Sequence, residues 1–289
     1  TLYSEMNFPS RHPLYKGGLR WGFPDGKEAL AGADAVLAVG NTFSGYFFFT
    51  DEGASSCASE TKVVHLDASA TEVGKSEPTE VGIIADPKVG LARLAYALDA
   101  RMSGSTKEAA KGRAETVAGE TSAARSAWEA RIKERWDSSP MSPERMMAEV
   151  AAAIPDDTVI VDDSVTTRAA VYGAIEFNQP GQVFGERGGA IGWGIGGGMG
   201  AKLAHPDKPV VAIVGDGTAM MTVQGFYTAA IENIPIVYVI CNNEAYRILK
   251  VNMDVYKSLV IGQDPPRSKY MAMDFPQRLD IAGMAEAMG

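Results

Sequence analysis

Two short apolar runs, each closing on small polar residues, constrain the fold of this chain more than any other feature. Val210 to Gly217 reads VVAIVGDG, and Ile236 to Asn243 reads IVYVICNN. Runs this short and this apolar predict buried strands. The stretch Val223 to Asn233 between them has the length of a helix, so the unit is strand–helix–strand and its strands are parallel. In an open parallel sheet, ligands bind beyond the carboxyl ends of the strands. That geometry brings Asp216 and Asn243 to neighbouring strand ends. A carboxylate and an amide oxygen there suit a hard cation such as Mg2+, which also takes phosphate and water ligands. Gly215 and Gly217 would let the backbone come close to a diphosphate. Taken singly, Gly-Asp-Gly is equally a turn and Asn242-Asn243 a helix cap. Only the pair points to a cation.

The alternation of strand and helix extends along the chain. Ala35 to Val39, Val63 to Leu66 and Ile83-Ile84 predict strands, and Lys88 to Leu98 a helix with Leu91, Leu94, Ala95 and Leu98 on one face. Ser142 as N-cap and Pro143 at the first helical position open a helix to about Ile154. A strand over Thr158 to Val161 and a helix near Thr166 to Ile175 follow. Residues 101–140 are rich in Ala, Ser, Gly, Lys, Arg and Glu and poor in large apolar residues before Trp128. They predict a linker that turns helical near Trp128 to Trp136. The expected fold is α/β with two doubly wound parallel-sheet domains, residues 1–100 and 141–289, joined by 101–140. A chain of 289 residues can bury a core in each.

Composition removes several function classes. The chain is 46% hydrophobic and 22% charged, ordinary for a soluble protein, and no apolar run approaches the ~20 residues of a membrane span. A net charge of -9 argues against nucleic-acid binding, which needs surplus Lys and Arg. Cys57 and Cys241 cannot build a disulfide framework, which predicts a cytoplasmic protein. His12, His65 and His205 lack zinc-ligand spacing. The sequence begins at Thr1 without initiator Met or signal peptide and stops just after the helix-like Ile281 to Met288, so a processed or partial chain is expected.

Two further motifs carry chemistry. Gly185 to Gly200 holds nine glycines in sixteen positions, with Gly192, Gly194 and Gly197 in the dinucleotide pattern GxGxxG. Asp216, at the end of the next strand, stands where a ribose-binding acid would be, so a nicotinamide-dependent dehydrogenase is one reading. The fingerprint should follow a strand directly, however, and here GERGG intervenes. A small-residue helix packed tightly on a neighbour is the other reading. The second motif, Asp162 to Thr167 (DDSVTT), lies between a strand and a helix, where hydroxyls and free N–H groups hold phosphate. N-capping accounts for Ser164 or Thr166 equally well.

Together these residues resemble the thiamine-diphosphate enzymes of the 2-oxo acid decarboxylase and acetolactate synthase group, most of all the benzoylformate decarboxylase-like members. The resemblance rests on GDGTAMMTVQGFYTAAIENIPIVYVICNN, a highly specific signature. It extends over FPSRHPLYKG (Phe8 to Gly17), HLDASATEVGK (His65 to Lys75) and GGAIGWGIGGGMGAKLAHPDKPVVAIVGDG. Members of the group have aminopyrimidine-binding, middle and diphosphate-binding α/β domains. The resemblance implies most of the middle domain here, then a diphosphate domain short of its last element. The aminopyrimidine-binding domain would come from elsewhere in the polypeptide or from a partner subunit.

By position, the resemblance implies that Asp216, Asn243 and the carbonyl of Ala245 bind Mg2+. Gly217, Thr218, Tyr246 and Thr166 would line the phosphates. Gly189 would accept from the cofactor's 4′-amino group through its carbonyl, and Ile191 would bend the cofactor. The glutamate that activates the cofactor belongs to the domain not in this sequence, so no acid here is given that role. Phe47, in the loop from Gly45 to Phe49, stands where benzoylformate decarboxylase-like enzymes carry a histidine, and core packing is the other reading of those aromatics. FAD is not expected, and structural roles are expected for His12 and Cys241. The implied function is decarboxylation of a 2-oxo acid, with acetolactate synthase-like carboligation as the alternative and a nicotinamide-dependent dehydrogenase third. The active form would be a homodimer or homotetramer acting on a small 2-oxo acid or aldehyde.

Overall fold

The computed structural model describes all residues except 1–4, 20, 22, 42, 44–54, 187, 188 and 264–269. The chain divides into two compact units, one over Lys16–Gly119 and one over Leu2–Tyr15 and Glu120–Gly289. The first unit holds α1 (Pro24–Leu30), β1 (Ala35–Val39), β2 (Lys62–Asp67), β3 (Val81–Ile84) and α2 (Pro87–Arg101). Its strands form a parallel sheet in the order β1-β2-β3. Trp21, Ala38, Phe43 and Val63 pack together in its core. Asp86 caps α2 by accepting from the N–H groups of Lys88 and Val89, and Pro87 fills the first helical position. The apolar face expected on α2 is present in sequence but not buried: Leu91 and Leu98 are 40% and 50% exposed.

Helix α3 (Gly104–Glu134) carries the chain from the first unit into the second. It is helical from its start, not only near Trp128. The reason is composition: Ala, Glu, Lys and Arg are all strong helix formers, and a helix can form without a broad apolar stripe.

The second unit contains α4 (Pro143–Ala153), β4 (Val159–Asp163), α5 (Arg168–Ala174), β5 (Val183–Gly185), α6 (Gly194–Ala204), β6 (Val210–Gly215), α7 (Asp216–Ala219), α8 (Gly225–Ile231), β7 (Val237–Cys241), α9 (Arg247–Leu259) and α10 (Ile281–Ala287). Ser142 caps α4 as expected, its Oγ accepting from Arg145 N–H at 3.2 Å. The four strands are parallel in the order β5-β4-β6-β7. Alternate residues face opposite sides. Ile160, Val211 and Ile213 pack with Met147, Val171 and Phe177 on one side of the sheet. Val159, Val161, Ala212 and Val214 pack with Ile195, Phe226 and Ile281 on the other. Each such buried side chain contributes about 1.5–3 kcal/mol, which makes β4 and β6 the rigid centre of the unit. Residues 5–15 fold onto this unit: Ser10 N–H donates to the Phe177 carbonyl at 2.8 Å, and Phe177 N–H to Ser10 Oγ at 2.8 Å. Among the described residues, no helix is long and apolar enough to cross a membrane.

Candidate functional site

The strand order creates a crevice. From β4 the chain passes to β5 on one side, then returns to β6 on the other side of β4. This reversal leaves a gap at the carboxyl ends of β4 and β6, where ligands of such sheets bind. Asp163 pairs with Val214 and Gly215 with Cys241. The turns after β4, β6 and β7 therefore open on the same edge.

Asp216 occupies the centre of that edge, buried at 3% exposure. Its Oδ2 accepts from the backbone N–H of Asn243 at 3.0 Å and of Glu244 at 2.7 Å, and its Oδ1 from Gly217 N–H at 2.8 Å. Charge-assisted bonds of this kind offset the cost of burying a carboxylate. The two residues paired from sequence thus meet through a backbone hydrogen bond. The Asn243 side chain is exposed and accepts from Ala245 N–H at 3.1 Å. Glu244 is in the left-handed region at φ 56, and the loop is clamped where Tyr246 N–H donates to the Met273 carbonyl and Phe275 N–H to the Glu244 carbonyl. The Tyr246 ring meets Phe275 edge-on at 4.9 Å. Gly217 lies beneath it: a Cβ there would be 2.5 Å from Tyr246 Cε1. Thr218 is buried beside them in α7. Asp216, Gly217, Thr218, Asn243, Ala245 and Tyr246 therefore form one group. Among the described residues no group of three or more His, Cys, Asp or Glu side chains is arranged to hold a metal ion. The oxygens at this edge are a carboxylate, a carboxamide and backbone carbonyls, a mixed set that fits Mg2+ completed by phosphate and water.

Thr166 lies in the turn after β4, on the same edge. Ser164 does not cap the following helix. Its Oγ donates to Asp162 Oδ1 at 2.5 Å, and Arg168 Nε donates to Asp162 Oδ2 at 2.9 Å. The N-cap of α5 is Thr167, without a side-chain capping bond. Thr166 is half-buried between them.

Gly189 and Ile191 lie in the turn from β5 to α6, Ile191 at 41% exposure. This turn is tied to the Asp216 group indirectly, through Thr222 Oγ1 donating to the Gly192 carbonyl at 2.7 Å. The dinucleotide reading fails here on geometry. The N–H groups of Gly192 and Gly194, which would have to face a pyrophosphate, donate instead to Asp163 Oδ2 at 3.0 and 2.8 Å. Close packing accounts for two of the glycines of α6: a Cβ on Gly194 would sit 2.6 Å from Asp163 Cβ, and one on Gly198 2.5 Å from Ile236 Cδ1.

Asp163 is the residue that sequence reading passed over. Two adjacent acids ending a buried strand must point to opposite faces, so each needs its own partners. That signal was present in Asp162-Asp163. Burial pushes the Asp163 carboxyl up to about 6, reinforced by Asp162 and opposed by the Gly194 and Gly192 amides and Arg168. A raised folded value means that its contribution to stability is complete below the ordinary value of 3.8 and is lost as pH rises through about 6. The melting temperature of Asp163→Asn relative to the unsubstituted protein should therefore climb between about pH 4 and 7. Thermal melts across that range check this, and a constant difference would refute it.

His12 forms a local turn, its Nδ1 accepting from Leu14 N–H at 3.1 Å. Burial pushes the Cys241 thiol up to about 12, which fits packing and not reactivity. Phe47 and its loop lie outside the described residues.

Two family models match the chain. The family "Thiamine pyrophosphate enzyme, C-terminal TPP binding domain" matches residues 164–289, and "Thiamine pyrophosphate enzyme, central domain" matches residues 1–94. The chain belongs to the thiamine pyrophosphate enzymes. It is 26% identical to a sulfoacetaldehyde acetyltransferase of Castellaniella defragrans over 98% of this chain and 48% of that protein. It is also 26% identical to a benzoylformate decarboxylase of Pseudomonas aeruginosa, over 86% of this chain and 43% of that protein. The fold is that of a thiamine diphosphate-dependent 4-hydroxybenzoylformate decarboxylase from Rhodococcus jostii RHA1, with a TM-score of 0.71 and 23% identity over 99% of this chain and 48% of the other. The chain spans about half the length of the curated relatives it matches.

Proposed function

We propose that the chain is the central and diphosphate-binding part of a thiamine-diphosphate- and Mg2+-dependent enzyme that decarboxylates a 2-oxo acid. The observation that carries this reading is the Asp216 carboxylate, which draws the ends of β6 and β7 together beneath the Tyr246 ring. Asp216, the Asn243 side chain and the Ala245 carbonyl would hold Mg2+. Gly217, Thr218, Tyr246 and Thr166 would surround the diphosphate. The Gly189 carbonyl would accept from the aminopyrimidine, and Ile191 would supply an apolar support between the cofactor's two rings. When bound, thiamine diphosphate supplies a carbon nucleophile and an electron sink for a bond broken or made next to a carbonyl. The protein's part is to orient the cofactor and exclude water. Residues 1–100 would then be middle domain, 101–140 a connection, and 141–289 the diphosphate-binding domain. An aminopyrimidine-binding domain, from the same polypeptide or a partner subunit in a homo-oligomer, would complete the site. Two free thiols suit a reducing cytoplasm.

A second reading, carboligation or acyl transfer on the same cofactor, is favoured by the likeness to the acetyltransferase over nearly the whole chain. Calorimetric titration with thiamine diphosphate, with and without Mg2+, tests the shared part: saturable binding that EDTA abolishes is expected. Absence of binding even with an aminopyrimidine-binding domain supplied would overturn it. Release of CO2 from a 2-oxo acid without a ligated product separates decarboxylation from carboligation.

A further inference from the structure

The cofactor reading gives Asp163 no role, yet its carboxylate is fully buried and its Oδ1 has no hydrogen-bond partner. Only Oδ2 is engaged, and both N–H groups it accepts, from Gly192 and Gly194, close the turn that carries Gly189 and Ile191. The same turn is held from the opposite direction by Thr222, which follows the Asp216–Ala219 helix. Gly192 adopts φ +94, and a Cβ there would be 2.9 Å from Met221 Cβ, so the turn packs closely against the segment that follows α7 and only glycine fits at this point. A half-satisfied buried carboxylate is an expensive way to anchor two amides. The arrangement makes sense when the position of those amides matters.

We propose that Asp163 is a positioning residue. With Thr222, it holds the Gly189–Ile191 turn at a set separation from the Asp216 turn, so that the aminopyrimidine side of the site stays in register with the diphosphate side. The inference rests on the cofactor reading above.

The test compares thiamine diphosphate with inorganic pyrophosphate by calorimetry on the Mg2+-loaded protein. Asp163→Ala removes a charge-assisted pair and should weaken thiamine diphosphate binding by about tenfold or more. Pyrophosphate, which would fill only the diphosphate side of the site and not reach the Gly189–Ile191 turn, should bind within about twofold of the unsubstituted protein. Asp163→Asn keeps an acceptor of the same shape and should hold thiamine diphosphate within about threefold. Thr222→Val cuts the other tie without touching the buried charge. It should show the same selective loss at about threefold or more, and it decides the matter should Asp163→Ala not fold. Without cofactor, amide exchange at Gly192 and Gly194 should quicken in Asp163→Ala while Asn243 and Glu244 keep their rates. Equal losses for both ligands, no loss in either variant, failure of Asp163→Asn to rescue, or uniform quickening of exchange overturns the proposal. Failure of the unsubstituted protein to bind either ligand overturns the cofactor reading instead, so the two failures are distinct.

Discussion

Asp216→Asn is expected to lower Mg2+-dependent thiamine diphosphate affinity by about a hundredfold or more. Two effects act together. The substitution removes the negative charge from the proposed cation's ligand set, and Mg2+ binds a neutral amide oxygen far less well than a carboxylate. It also breaks the local geometry. Both Asp216 oxygens accept backbone N–H groups, Oδ1 from Gly217 and Oδ2 from Asn243 and Glu244. A carboxamide has one acceptor end, so whichever way it turns, its NH2 group faces an N–H donor. That conflict costs about 1–3 kcal/mol, well within a typical domain stability of about 5–15 kcal/mol. The variant should therefore stay folded, and the affinity loss should read out cleanly in a titration accompanied by a thermal melt. Binding within about threefold of the unsubstituted protein would remove Asp216 from the metal site.

What the sequence made legible, and what it hid, follows from how local each feature is. Strand β1 falls on its expected bounds, and β6 and β7 within a residue or two, because short apolar runs closed by small polar residues need no tertiary information. The Ser142 cap was legible for the same reason. The pairing of Asp216 with Asn243 could be read because consecutive parallel strands joined by a short helical crossover usually lie side by side, as β6 and β7 do. Strand β5 was hidden: three residues beside a glycine-dense stretch show no period. The helical start of α3 was missed because the absence of large apolar residues suggested a linker, although its residues favour helix one by one. At the site, the glycine fingerprint misled because sequence cannot show where an N–H points. Its amides are taken by Asp163, 29 and 31 positions away. That contact depends on α6 starting against β4, which only the packed sheet determines.

Gly194→Val is expected to lower the melting temperature of the protein by about 10 °C, a loss of about 3 kcal/mol or more. A Cβ at this position would stand 2.6 Å from Asp163 Cβ, 3.0 Å from its Oδ2 and 3.1 Å from Val214 Cγ2. Val214 belongs to the closely packed β6 core and cannot yield. Asp163 can move only by giving up the Gly192 and Gly194 amides, which leaves a buried charge without partners. The remaining escape is for α6 to lift from β4 and β6, which opens the cluster containing Ile195 and Phe226. Each route is costly, and valine's branched Cβ leaves no rotamer that avoids all three atoms. Gly200→Ala, six residues along the same helix, is the matched control. Nothing lies within 4 Å of its missing Cβ, so alanine there should stabilise the helix by up to about 1 kcal/mol. Melting curves of the two variants by circular dichroism should thus move in opposite directions. If Gly194→Val melts within about 2 °C of the unsubstituted protein, the start of α6 has slack, and the contact between Asp163 and this helix is looser than its hydrogen-bond lengths imply.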